Sequence, residues 1–370
     1  MNLPAIDLLV DALLAPTRLT QLDAAQWDLL IRQGRNADLL ARIASVCTAH
    51  ALLEQIPARP RRHLEAAAKL ALRQRREVYW EVEQIADALA PTGLPVVLLK
   101  GAAYAVAELP AAEGRMVSDV DILVPRQHLV AVESALMMKG WVSEAKSAYD
   151  QRYYRTWMHE LPPMRHFRRG TVIDVHHAIL PLSARWHPSS EKLLAAALPV
   201  AVNELDELDK LDGRIMVLAP EDMLLHSATH LFQEGELAHG LRDLVDIDSL
   251  LRHFGTADAF WQVLVPRAVE LELSRPLFYA LRYANLMLGT PLPESVVQAA
   301  VNAPGGRQPG AFLAFMDSLF LRALRPAHAT TSDRLTALAR WQLYVRSHWL
   351  RMPPSLLIPH LARKALTISR

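Results

Sequence analysis

The sequence predicts an α+β fold: a strand-bearing middle, residues 91–200, between an N-terminal helical region, 1–90, and a C-terminal helical region, 201–370. Three observations carry this. Apolar residues recur at helical spacing in Ala37–Ala44 and again from Leu64 through Ala90. From about residue 91 short β-branched and aliphatic runs alternate with short helical stretches, the clearest being Ser118–Val124. From residue 201 onward helical spacing returns, and Ala219-Pro220-Glu221-Asp222 has the proline and acids of a helix start.

Taken in order, Pro57, Pro60 and Pro91 punctuate the first helical region. Leu94–Leu99 is an apolar run opened by Gly93 and closed by Lys100-Gly101, and Ala102–Ala107 follows with helical character. That is strand, tight turn, helix. Glycine at such a junction lets backbone N–H groups approach an anion, and Lys100 adds a point charge suited to phosphate. Val130–Lys139 reads as a helix ending at Gly140, with a strand at Trp141-Val142. Met164–Phe167, Arg168-Arg169-Gly170 and Thr171–His176 read as a hairpin. The helix from Pro220 carries His226 and His230, and Arg242–Asp248 suits an amphipathic helix packed on the middle region.

In a strand, side chains at i and i+2 leave one face, so Asp119 and Asp121 project together while Val120 and Ile122 turn to the core. Crowded carboxylates repel unless a cation lies between them, and such oxygen donors suit Mg²⁺ or Mn²⁺ rather than zinc. An acidic pair guarding a solvent-facing edge strand is the competing reading. Asp174, paired at i+2 with His176, offers a third carboxylate. His226 and His230 at i, i+4 resemble half of a zinc protease motif, but Ser227 stands where its glutamate should follow.

Composition narrows the class. A chain of 370 residues, 51% hydrophobic, has length for two or three domains. Its single cysteine, Cys47, excludes an intrachain disulfide and a zinc framework, which favours the cytoplasm. The N-terminus lacks a basic n-region and carries Asp7 and Asp11 within its apolar stretch, unlike a secretory signal. No apolar run reaches the roughly 18 residues needed to span a bilayer.

Two basic zones stand out against a net charge of +1. One runs from Arg59 to Arg76, opposed within that span only by Glu65. In the other, from Arg307 to Arg370, Arg340, Arg346 and Arg351 interleave with Trp341, Tyr344, Trp349, Leu350, Leu356, Leu357 and Ile358. An anionic partner or a membrane surface would suit this C-terminal zone, as would arginines snorkelling over an ordinary helical core. No recognised nucleic-acid-binding motif accompanies the charge, and no specific nucleic acid is expected.

Leu99-Lys100-Gly101, Arg115 with Ser118-Asp119-Val120-Asp121, Ile173-Asp174-Val175-His176 and Pro220-Glu221-Asp222 leading to His226 and His230 resemble the DNA polymerase beta-like nucleotidyltransferase superfamily. They resemble most closely its bacterial "nucleotidyltransferase family protein" group, over residues from about 90 to about 250. The resemblance implies a mixed-sheet catalytic core in which an Asp-x-Asp pair and a third Asp hold two divalent ions. Asp119, Asp121 and Asp174 fit those positions. The superfamily usually has Gly-Ser or Gly-Gly at the phosphate turn and a shorter interval to the first Asp. Here Lys100-Gly101-Ala102 and the insert Glu108–Arg115 stand instead, and Lys100, Arg115 or Ser118 would substitute as donors to the triphosphate.

The implied reaction moves an NMP from an NTP substrate to an acceptor, a small molecule, sugar, peptide or protein, in a site holding Mg²⁺ or Mn²⁺. Asp174 would ligate the ion nearest the acceptor and receive its proton, and His176 would support it or rest on the backbone. The alternative is a non-catalytic nucleotide-binding or scaffolding relative that keeps the fold.

Overall fold

The computed structural model describes residues 7–145, 147–200, 213–233, 235, 237–353 and 355–357. Met1 to Ile6 of the N-terminal stretch, and Ile358 with the basic tail beyond it, lie outside these, as do residues 201–212 beside the predicted start of the C-terminal region.

A seven-stranded sheet occupies the middle of the described chain. Its strands are β1 (Val96–Leu98), β2 (Asp119–Leu123), β3 (Trp141–Ser143), β4 (Met164–His166), β5 (Val172–His176), β6 (Leu198–Pro199) and β7 (Ile215–Val217). Their order is β3-β4-β5-β2-β1-β7-β6. β2 runs parallel to β5 and β1 parallel to β7, while β1–β2, β3–β4, β4–β5 and β6–β7 are antiparallel. The sheet is thus mixed, as the resemblance implied. Val120, Ile122, Leu123 and Val124 are all buried, because β2 lies between β1 and β5 and is covered on both faces.

The hairpin forms where expected, β4 and β5 joined through Gly170 at φ +74°. Its turn has a function the sequence did not disclose. Arg169 reaches back to the helix Ala58–Leu89 and pairs with buried Glu81 through Nε at 3.0 Å and Nη2 at 2.8 Å. Thr171 Oγ1 donates to the same carboxylate at 2.8 Å, and the guanidinium lies 4.7 Å from the Trp141 ring centre.

The insert Glu108–Arg115 is where the N-terminal helices dock. Arg42, buried in the helix Leu40–Ala49, donates to Pro110 O at 2.7 Å and to Ala111 O at 2.6 Å. Gly114, at φ +64°, passes so close that an added Cβ would lie 2.5 Å from Ala41 O and Arg42 N. One hydrophobic core runs unbroken from Leu9 through the sheet to Leu343.

Behind the sheet, the helix Pro220–Gln233 packs against Gly240–Phe254 and Ser274–Leu288. Asp222 of the helix start is fully buried and bonded to Arg267 Nε at 2.7 Å and Nη2 at 2.8 Å, a structural anchor.

The first basic zone is partly neutralised by ion pairs, and the second turns one of its arginines inward. Arg61 pairs with Glu54 at 2.5 Å, Arg73 with Glu77 at 2.8 Å and Arg75 with Glu108 at 3.8 Å, three acids that lie outside the span considered above. In the helix Thr336–Arg351, Arg346 turns inward, donating to Phe232 O at 2.8 Å and resting on the Tyr279 and Phe320 rings. Trp341 and Trp349 point outward, at 60% and 62% exposure, so this face presents aromatic surface more than charge. Among the described residues no helix is long and apolar enough to cross a membrane.

Candidate functional site

Parallel pairing of β2 with β5 places Asp121 opposite Asp174, and Leu123 opposite His176. Asp119 lies two residues before Asp121, where its Oδ1 accepts from Ser118 Oγ at 3.0 Å. Three carboxylates from two adjacent strands therefore share one face of the sheet, two of them lining a cleft. The cleft has about 650 Å³ of empty space counting its open mouth, and Lys100, Gly101, Arg115, Ser118, Asp119 and Asp121 all line it. Asp174 stands beside it, across the β2–β5 pairing.

Asp121 is 6% exposed, so its charge needs partners. His176 Nε2 donates to its Oδ1 at 2.9 Å, and the Lys100 ammonium lies 3.6 Å from the same oxygen. Burial acts to raise the Asp121 pKa, but Lys100 and His176 outweigh it and hold the carboxyl well below its usual range. His176 moves the other way: burial disfavours its imidazolium, yet the Asp121 bond and Glu160 outweigh that and raise its pKa. For Asp174 the balance falls the other way, His176 being outweighed. Burial, then the Asp121 and Glu160 carboxylates, push its pKa up to about 7, and its Oδ1 is buried with no hydrogen-bond partner.

The turn after β1 is built around an unusual backbone. Lys100 begins the helix Lys100–Val106 at φ +46°, the left-handed region that favours glycine. Gly101 is required by Arg115, since a Cβ there would lie 2.1 Å from Arg115 Nη1. Arg115 is itself partly buried, donating from Nε to Asp246 Oδ2 at 2.6 Å with its guanidinium 5.7 Å from the Tyr104 ring centre. Asp246 keeps the guanidinium charged and braces it as the cleft wall. Arg115 is thus held by the helix Gly240–Phe254, which packs against the cleft through this pair.

His226 and His230 part company. His226 is buried, and burial followed by nearby Lys100 and His176 holds its pKa well below the ordinary value, leaving it neutral. His230 lines the cleft, its Nδ1 3.9 Å from Asp243 Oδ2. Neither belongs to a group of three metal-ligating side chains among the described residues; that arrangement is made by His159, Glu160 and His176. His159 and Glu160 escaped the sequence reading because they lie between a helix and a strand, outside any periodic pattern. Their His-Glu pairing just before Pro162-Pro163 was the available signal. Tyr104 and Ser227, joined Oη to Oγ at 2.5 Å, also line the cleft, and so does Arg242.

Three carboxylates with one ammonium and one imidazole between them, one oxygen lacking any partner, form a donor set that fits a hard divalent cation. The comparison with protein families gives a match to a model described as an uncharacterised nucleotidyltransferase, over residues 23–289. This extends beyond the 90–250 span of the motifs into the N-terminal helices, consistent with their docking on Glu108–Arg115. Neither the curated proteins nor the solved structures give a match.

Proposed function

The chain belongs to the uncharacterised nucleotidyltransferase family, and from that premise we propose that it transfers an NMP from an NTP to an acceptor hydroxyl or phosphate, releasing pyrophosphate. The observation that supports this most directly is the register of β2 and β5, which sets Asp121 against Asp174 beside a cleft carrying Asp119, Lys100 and Ser118.

In this reading Asp119, Asp121 and Asp174 hold Mg²⁺ or Mn²⁺. When bound, such ions neutralise the triphosphate and acidify the acceptor hydroxyl. Lys100 supplies its ammonium and Ser118 its hydroxyl to phosphate oxygens. Arg115, braced by Asp246, shapes the wall of the cleft and adds positive potential there. Asp174, on the strand beside the Asp119 and Asp121 pair, receives the proton of the acceptor hydroxyl as its oxygen attacks the α-phosphate. The acceptor, a small molecule, sugar, peptide or protein, enters beside Asp174.

The test is calorimetric titration with ATP, GTP, CTP and UTP in Mg²⁺ or Mn²⁺, comparing the wild type with an Asp119→Asn, Asp121→Asn double variant. Metal-dependent binding lost in the still-folded variant supports transfer and names the base for an acceptor screen. Binding that survives both substitutions, or no binding by the wild type, favours the scaffolding alternative.

A further inference from the structure

We propose that His159, Glu160 and His176, with Asp121 as a shared fourth donor, form a site for a borderline divalent transition-metal ion of the Zn²⁺ and Co²⁺ class, separate from the carboxylate set that takes hard ions. The inference goes beyond the nucleotidyl-transfer reading and does not depend on it.

Backbone pairing builds the site. The segment Met158–Leu161 runs antiparallel beside the end of β5: Leu161 N–H donates to Val175 O at 2.9 Å and His177 N–H to His159 O at 2.8 Å, and Glu160 bridges to His176. Ligands carried on paired backbone are held in place before any ion arrives.

The donors converge. One ligand atom from each of His159, Glu160 and His176 lies within 4.8 Å of the others. Glu160 Oε2 is 3.6 Å from His176 Nε2 and 3.9 Å from His159 Nε2, and Asp121 Oδ1 is 2.9 Å from His176 Nε2. Bonds of about 2.0–2.2 Å to one ion bring neighbouring donors to roughly 3.0–3.5 Å, so donors already within 4.8 Å of one another need only draw in around the ion. The side chains of His159, Glu160 and His176 are 7%, 17% and 3% exposed, which keeps the donors from solvent.

Donor chemistry selects the metal. Two imidazoles and two carboxylates match Zn²⁺ or Co²⁺, whereas Mg²⁺ prefers an octahedron of oxygens and retains its waters.

The test is titration of the chelator-treated full chain with Co²⁺, followed by visible absorption. We expect one equivalent to bind with the intense spectrum of a four-coordinate nitrogen–oxygen site, displaced by Zn²⁺ but not by excess Mg²⁺. His159→Ala and Glu160→Gln each weaken binding by roughly tenfold or more, while Asp174→Asn keeps the spectrum. Glu160→Gln preserves shape, so it decides the question if His159→Ala misfolds. No such spectrum, unaltered affinity in Glu160→Gln, or displacement by Mg²⁺ at comparable concentration would overturn the proposal. Failure of nucleotide binding leaves this readout intact, and loss of the Co²⁺ spectrum leaves the nucleotide titration intact, so the two ideas fail separately.

Discussion

The Lys100 ammonium lies 3.6 Å from Asp121 Oδ1, carried on a backbone with φ of +46°. A lysine stands where the chain geometry favours glycine, and the unfavourable conformation is the condition for placing a cation against the buried carboxylate.

Charge and conformation can be separated at this position. Lys100→Ala removes the ammonium and keeps the Cβ strain, while Lys100→Gly removes both. In the left-handed region glycine is favoured over alanine by roughly 1–2 kcal/mol, so Lys100→Gly should melt above Lys100→Ala in calorimetry. Both should bind NTP at least about tenfold more weakly if the ammonium meets phosphate, one charge-assisted hydrogen bond being worth roughly 1.5–3 kcal/mol. A glycine variant less stable than the alanine variant would mean the backbone there is not strained.

Asp174 gives a pH dependence with a definite sign. Its folded-state pKa is raised from 3.8 to about 7, so between those values the folded chain keeps a proton that the unfolded chain has lost. The stabilising contribution is full below pH 3.8, is lost as pH rises toward 7 and does not recover above it. Asp174→Asn removes the ionisation. Without metal, the variant should gain in melting temperature over the wild type at pH 8 but much less at pH 5. Mn²⁺ should raise the wild-type melting temperature at pH 8 more than that of the variant. Equal pH profiles for the two proteins would show that Asp174 is not the titrating group.

These two residues mark how far the sequence could be read. Period-two placement made Asp119, Asp121, Asp174 and His176 legible, because which face a strand residue occupies is a local property. Local too were the hairpin of β4 and β5 and the helix from Pro220. What joins the parts is not local. Asp246 lies 131 residues from Arg115, and Glu81 lies 88 residues from Arg169, so nothing near either arginine announced its partner. From sequence alone Arg115 reads as a phosphate donor, and only the structure shows that its Nε is held by Asp246. Glu160 became visible only once its bridge to His176 was known.

Gly101 tests the bracing of Arg115. The nearest atom to an added Cβ, Arg115 Nη1 at 2.1 Å, ends a flexible side chain, but Asp246 holds that side chain at 2.6 Å. Gly101→Ala should cost about 1–3 kcal/mol by overpacking. Asp246→Ala should cost more, about 3–5 kcal/mol, since it leaves a partly buried guanidinium unpaired. Denaturant melts of the two variants and their double variant give the coupling. If Arg115 moves freely, the single costs add. If Asp246 fixes it against Gly101, the double variant loses less than the sum.

The pairing of Arg169 with Glu81 separates stability from function. Both oxygens of Glu81 are taken, by Arg169 at 2.8 and 3.0 Å and by Thr171 at 2.8 Å, and its side chain is 3% exposed. Arg169→Ala leaves that carboxylate with a single donor and strips the cation from the Trp141 ring. Unfolding should become easier by about 3 kcal/mol, as for other broken buried pairs. Because Arg169 lies at the β4–β5 turn, and β5 passes its register to β2 beyond that turn, Asp121 and Asp174 should stay opposed in the folded variant. NTP titration at a temperature well below its melting point should then return wild-type affinity. A variant that folds yet loses nucleotide binding would place the turn within the site and require the edge of the sheet to move with the ligand.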